Sequence, residues 1–343
     1  MVSCEVAGVT REEIERSMAG VVAAHGPWTA HNVHLGHGVF TYGTDRPYLK
    51  LQRLVQVAAD LAGRPLPGLR VLDLACLEGG FAIEFARHGA TVVGIEGREA
   101  NLAKARFAKD VLGLESLSFE LGDVRELSCQ RHGTFDVVIC AGILYHLDAP
   151  DVFAFVERIA EVCTRVAIFD TSLSLRTAEF REYKGRTYWG GSFPEHDPSA
   201  SEASRKANLW GSLSGTSSFW LTRASLLNLL TDVGFTSAME VLNPALPGQF
   251  SDRIVLSALK GTRQAIYAAP STTEQALPAW TEDERPLHDP MQRRSYRLEK
   301  RLTHMVPVGV RRGLKRVLRG VGLMRRSEAP WEWPAPWRKR QDR

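Results

Sequence analysis

The sequence predicts an α/β fold in which a mostly parallel sheet is covered by helices on both faces. Three observations carry that expectation. Strand-length apolar segments alternate with helix-length ones between residues 70 and 170. Residues 71–81 run from an apolar strand through a turn of small residues into a helix. Two further strand-like segments, 235–242 and 252–259, close the series. The 343 residues are 44% hydrophobic and 24% charged, which excludes a disordered or collagen-like chain and supplies a substantial core.

The elements follow in order. A helix is expected over 11–24. Residues 25–45 form a segment rich in Gly, His and aromatics, read with the N-terminus (1–45) as a cap over a substrate. A helix over about 47–62 places Leu49, Leu51, Leu54, Val55, Ala58 and Leu61 mostly on one face. Strands are expected at 70–75, 91–96, 117–121, 135–140 and 164–170, with helices at 79–88, 98–112 and 150–162 between them. The first four strands have unbroken apolar cores, as strands buried on both faces require. The alternation stops near Thr171, and residues 173–219, rich in Gly, Ser and aromatics, read as an insertion or lid. A helix over 222–233 starts at an N-cap, Thr222. The expected division is therefore a cap (1–45), a main domain (46–260) and a linker with a basic tail (261–343).

The net charge of +4 conceals a contrast. Residues 291–343 hold 16 Lys+Arg against 4 Asp+Glu, while residues 1–290 hold 27 against 35. Within the tail, 309–323 set Val310, Leu314, Val317, Leu318 and Val321 on one helical face and Arg311, Arg312, Lys315, Arg316 and Arg319 on the other, with Trp331, Trp333 and Trp337 following. Such a helix suits an anionic membrane surface, RNA phosphates, or docking on the domain, and the three stay open. No stretch approaches the roughly 20 apolar residues of a membrane span. The N-terminus has no signal-peptide pattern, and five cysteines without a C-x-x-C pair read as reduced thiols. A cytoplasmic protein, peripheral at a membrane surface if the tail binds one, is the expectation. Oligomeric state is left open.

The chemistry is carried by Val71-Leu72-Asp73-Leu74-Ala75-Cys76-Leu77-Glu78-Gly79-Gly80-Phe81, where a turn lets a ligand approach backbone amides at a helix N-terminus. Glu96 closes the next strand 23 residues after Asp73 and can accept hydrogen bonds from both hydroxyls of a ribose; Gly97 follows it. After the third strand, Asp123 and Val124 offer an acid and an amide to an adenine edge. The G-x-G-x-x-G run that a dinucleotide prefers is absent, and Asp73 would stand beside a pyrophosphate. S-adenosylmethionine (SAM), with a cationic amino group and sulfonium and no phosphate, suits an acid there.

These residues resemble the class I SAM-dependent methyltransferases over about 47–260. The resemblance implies a Rossmann-like, seven-stranded, mostly parallel sheet with an antiparallel last strand, and SAM as cofactor. It also implies a donor site formed by Asp73, Ala75, Cys76, Glu78, Gly79, Glu96, Gly97, Asp123, Val124 and Ala141. Ala75 and Leu77 stand where the family often has glycine; Ala75 is a mild change if its φ is negative, and Leu77 narrows the pocket. The fourth strand runs into Cys140-Ala-Gly-Ile-Leu-Tyr-His-Leu, similar to the Leu-Tyr-His stretch of small-molecule methyltransferases and of tRNA wobble-uridine carboxymethyltransferases. No Asn-Pro-Pro-Tyr run or Pro-Cys pair is present, which excludes amino-methylating and 5-methylcytosine DNA enzymes of those types.

His146 is the candidate base, an imidazole titrating near neutral pH, with a role in shaping the cofactor pocket as the alternative. His31, His34 and His37 read as a substrate mouth, a metal site or ordinary loop residues, and Glu195-His196 as further active-site candidates. The expected function is O-methylation of a small-molecule or glycan-type acceptor. RNA modification of the wobble-uridine type, or SAM binding without catalysis, are the alternatives.

Overall fold

The protein was analysed as a computed structural model that describes residues 9–213, 215–246 and 252–282. The tail helix expected at 309–323, with its tryptophans, lies outside the described residues.

Helix α1 (Arg11–His25) starts at a capping box: Thr10 accepts from the Glu13 amide, and the Glu13 carboxylate takes the Thr10 N–H. A small antiparallel pair, β1 (His34–Gly36) and β2 (Val39–Phe40), follows, then α2 (Leu49–Leu61). The expected alternation comes next: β3 (Arg70–Leu74), α3 (Gly80–Arg87), β4 (Thr91–Glu96), α4 (Glu99–Val111), β5 (Leu117–Leu121), the short α5 (Cys129–His132), β6 (Phe135–Ala141), α6 (Asp151–Val162) and β7 (Cys163–Ser172). The insertion carries β8 (Glu179–Tyr183), β9 (Arg186–Pro194), α7 (Glu202–Ala207) and β10 (Ser217–Leu221). The chain returns through α8 (Arg223–Asp232), β11 (Ser237–Glu240), β12 (Arg253–Leu259) and α9 (Pro270–Glu274).

Seven strands form the main sheet in the order β11-β12-β7-β6-β3-β4-β5, parallel except for β12, which runs antiparallel to both neighbours. This is the expected sheet. Successive residues of its central strands enter opposite cores. Val137 and Ile139 of β6 face the cluster containing α1, α2 and α3 residues such as Ile14, Leu54 and Phe85, whereas Val138 and Cys140 face Phe153, Phe155 and Leu226 of α6 and α8. Both faces being dry explains why these strands read as continuous apolar runs.

The insertion is more regular than its composition suggests. β8, β9 and β10 make a separate three-stranded antiparallel sheet whose first hairpin turns at Lys184-Gly185, both with positive φ. The sheet packs against α6 through Phe153, which stacks on Tyr188 and meets Phe219 edge-on. The stretch expected as linker also returns to the domain: Asn228 of α8 exchanges two hydrogen bonds with the Trp280 backbone, and Glu282 accepts from Thr222 and Ser225 hydroxyls. The domain boundary thus falls beyond residue 282 and not at 260.

Candidate active site

The chain order reverses at β3, which lies between β4 and β6, so a crevice opens at the carboxyl ends of these strands. Asp73, Glu96, Asp123, Ala141 and Asp170 all stand at or just after such ends.

The β3–α3 turn is wound through left-handed backbone three times, at Ala75 (φ 54°), Leu77 (φ 49°) and Gly79 (φ 76°). The condition under which Ala75 would be a mild change, a negative φ, is not met: both non-glycine residues accept a conformation that costs about 1–2 kcal/mol each. Neighbouring contacts hold them there. Cys76, 1% exposed, donates its N–H to Ile95 O at 3.0 Å, and Leu77 donates to Glu96 Oε2 at 3.0 Å. The opposite oxygen of Glu96 takes the Arg98 amide at 2.9 Å. Burial pushes the Glu96 carboxyl up, opposed by these two N–H groups. Asp73 is 1% exposed, and burial pushes its carboxyl up to about 8 despite the Ala82 N–H donated at 3.1 Å.

Two expected donor-site side chains are engaged elsewhere. Glu78 is buried, and its oxygens receive the amides of Thr29, Ala30 and His31 at 2.7–3.0 Å and Lys104 Nζ at 2.8 Å. Burial pushes its carboxyl up, but the Lys104 ammonium and these amides hold it below the usual range. The Glu78 side chain therefore pins the N-terminal cap to the turn, which corrects its assignment as a donor ligand. Asp123 is clasped bidentately by Arg125, which also reaches Asp151 at 3.1 Å. An adenine would have to share that carboxylate with a guanidinium. Val124 is buried beside it, and Ala141 is half-buried at the end of β6.

The histidine run is also resolved. His31 is 3% exposed and accepts the Gly80 amide on Nδ1 at 2.9 Å; burial pushes its pKa down to about 4, so it caps α3 as a neutral ring. His34 stacks on Phe40. The mouth and metal readings of this run are replaced by a structural one for His31.

His146, in a 3₁₀ turn after β6, has a partner from the insertion: its Nδ1 is 2.8 Å from Glu195 Oε2, which also accepts the Ser212 amide at 2.9 Å. Burial pushes the Glu195 carboxyl up, but the bonds from His146, Ser218 and Ser212 hold it below the usual range. With Nδ1–H committed to a carboxylate, Nε2 is the imidazole atom left for a reacting group. The Tyr145 ring lies tilted against His146, 4.3 Å between centroids, and meets Trp220 edge-on, and Trp220 stacks on Phe193. His196 bonds Ser212 O at 2.7 Å and so supports the same loop.

Sequence reasoning missed how the insertion reaches the donor side. The Arg98 guanidinium bonds the carbonyls of Lys206, Asn208 and Gly211 at 2.8–3.1 Å. Leu213 packs on Gly97 so closely that a Cβ there would collide with it. It also missed Lys50, Asp170 and Arg253, which share one ion-pair cluster at the end of β7. The one available signal was a carboxylate at the end of the apolar run Val166–Phe169.

Residues 71–165 match the methyltransferase domain family. WbdD of Escherichia coli, an O-antigen chain terminator and bifunctional methyltransferase/kinase, is 30% identical over 141 residues, which is 40% of this chain and 18% of that protein. The ubiquinone biosynthesis O-methyltransferase of Hahella chejuensis is 40% identical over 105 residues, 30% of this chain and 40% of that one. The alignments thus span less than half the length of these relatives. Among solved structures, the N-terminal domain of EvdMO1, determined with SAH and D-fucose, superposes with a TM-score of 0.57 at 24% identity, covering 76% of this chain and all of that one. That likeness is one of fold and reaches beyond the segment matched by the family. Residues 71–165 are thus similar to the methyltransferase domain family, and the sheet built about them has the class I methyltransferase fold.

Proposed function

We propose that this protein transfers the methyl group of SAM to a hydroxyl oxygen of a small-molecule or glycan-type acceptor. The observation that carries the reading is the pair of buried acids, Asp73 and Glu96, on either side of the strained 75–79 turn, within the segment that matches methyltransferase domains. The residues fit this donor. The turn lacks the glycine run that a pyrophosphate needs, and a buried carboxylate is stabilised by a cationic ligand. Asp73 faces the amino group of the methionyl end and Glu96 the ribose, while the backbone of Ala75–Gly79 lines the approach. Bound SAM supplies an activated methyl group.

His146 takes the acceptor proton at Nε2, and Glu195 keeps the ring in the Nδ1–H tautomer and stabilises its charged form. Tyr145, Trp220 and Phe193 supply apolar walls that exclude water from the transfer. The WbdD relative, an O-antigen chain terminator, favours the glycan-type acceptor, and the ubiquinone-biosynthesis relatives favour O-methylation.

Calorimetry with SAH and turnover of SAM on hydroxylated sugars and phenols test the reading. Glu96→Ala weakens SAH binding by about 1.5–3 kcal/mol, the range for hydrogen bonds to a charged group. His146→Asn lowers kcat by about 100-fold with SAH affinity intact, and Glu195→Gln lowers it by about tenfold and moves the acid limb of the pH profile. A loss confined to SAH affinity would make His146 a pocket residue, and SAH binding without turnover on any acceptor would leave a binding protein.

A further inference from the structure

With Glu96 set against the ribose, the adenine of a bound donor would lie towards the end of β5, where the Asp123 carboxylate, shared with Arg125, and the Val124 amide meet its edge. An adenine is flat, takes hydrogen bonds only at that edge and presents two apolar faces, so its site needs apolar atoms against the ring. The strand ends themselves supply none. Gly97 and Gly122, which follow β4 and β5, have no side chains, and Val124 is buried in the core with Leu127 and Phe153.

The insertion fills that gap. A Cβ on Gly97 would stand 2.2 Å from Leu213 Cδ1 and 3.7 Å from Gly122 O, so a Leu213 methyl occupies the space a side chain at 97 would take, beside the end of β5. Backbone strain does not demand glycine there, because Gly97 is not among the positive-φ glycines. The half-buried Leu213 is also held in place from the residues before it. Arg98, next after Gly97, donates to Gly211 O at 2.9 Å; Ser212 donates its amide to Glu195 at 2.9 Å, and its carbonyl is 2.7 Å from His196 Nε2. We propose that Leu213, carried by the insertion, is the apolar wall against one face of the donor's adenine ring. This rests on the methyltransferase reading and deepens it: the insertion helps to select the nucleoside of the donor. The rival, a Leu213 that blocks the nucleoside space, is separated by the sign of the effect.

The full chain is titrated calorimetrically with SAH and with methylthioadenosine, which lacks the amino-acid part. Leu213→Ala is expected to weaken both about tenfold through lost apolar contact, while Leu213→Met, of similar volume, retains both. Gly97→Ala sets a methyl against Leu213 and weakens both as well. In the double variant that methyl takes the place the leucine vacates, so Gly97→Ala with Leu213→Ala binds both ligands more tightly than either single variant. Damage to the insertion alone would not produce that reversal. Leu213→Val repeats the test should the Ala variant melt early. Unchanged binding in Leu213→Ala and Leu213→Val overturns the proposal, and tighter binding does so by showing a blocking leucine. A loss confined to SAH overturns it by placing Leu213 at the methionyl end, as do single-variant losses that add in the double variant. Failure of the unsubstituted chain to bind SAH would instead defeat the methyltransferase reading.

Discussion

Asp73 is the residue whose protonation can be followed most directly. Its folded-state value of about 8 lies above the ordinary 3.8 because burial penalises the charged form. The folded protein therefore holds a proton that the unfolded chain gives up. The associated stability is fully present below the ordinary value and is lost as pH rises through about 8. The melting temperature of the ligand-free protein should fall between about pH 4 and 8 and level off above, and Asp73→Asn should flatten that slope. A cationic donor favours the ionised carboxylate, so SAM binding at pH 7 should release a proton, seen as a dependence of calorimetric heat on buffer ionisation enthalpy. Glu78 shows where residue-level reading ran out. Its place in the turn suggested a donor ligand, but its partners are Lys104, 26 positions on, and three amides almost 50 positions back. Nor does a sequence disclose the sign of φ at Ala75, which is set by the contacts of its neighbours.

At the scale of elements, legibility followed burial. β4 was read with both boundaries correct because a parallel strand inside the sheet is an apolar run between polar turns. The edge strand β5 was read equally well from the alternation of Leu117, Phe119 and Leu121 with polar residues. The insertion sheet escaped because its strands are half exposed and one contains Gly190-Gly191, which weakens any strand signal. Its attachment is testable. Arg98 carries three hydrogen bonds to carbonyls of 206–211, and Arg98→Met should release that segment without unfolding the sheet. Losing charge-assisted bonds worth about 2 kcal/mol corresponds to roughly 30-fold faster amide exchange there, with the melting temperature nearly unchanged. Exchange rates in that segment equal to those of the unsubstituted chain would mean that Arg98 does not tether it.

At the scale of the molecule, the stretch after Lys260 reads as a linker in the sequence, yet Trp280 and Glu282 are bonded to α8 or its N-cap. A chain ending at Lys260 should melt lower by about 2–8 °C, the shift for a loss of 1–2 kcal/mol, whereas one ending at residue 284 should not. Comparing the longer truncation with the full chain, on anionic vesicles and on RNA across a salt series, isolates what the basic tail binds. One connection ties the insertion to both halves of the candidate site. Ser212 N–H and His146 Nδ1–H share a single Glu195 oxygen, and the next residue along, Leu213, covers Gly97. A displacement of Leu213 from Gly97 would also disturb Ser212, whose amide helps hold Glu195 in place. On the proposed reading, movement of Leu213 off Gly97 is therefore expected to loosen the Glu195–His146 pair, so that base and cofactor cover are set by one segment.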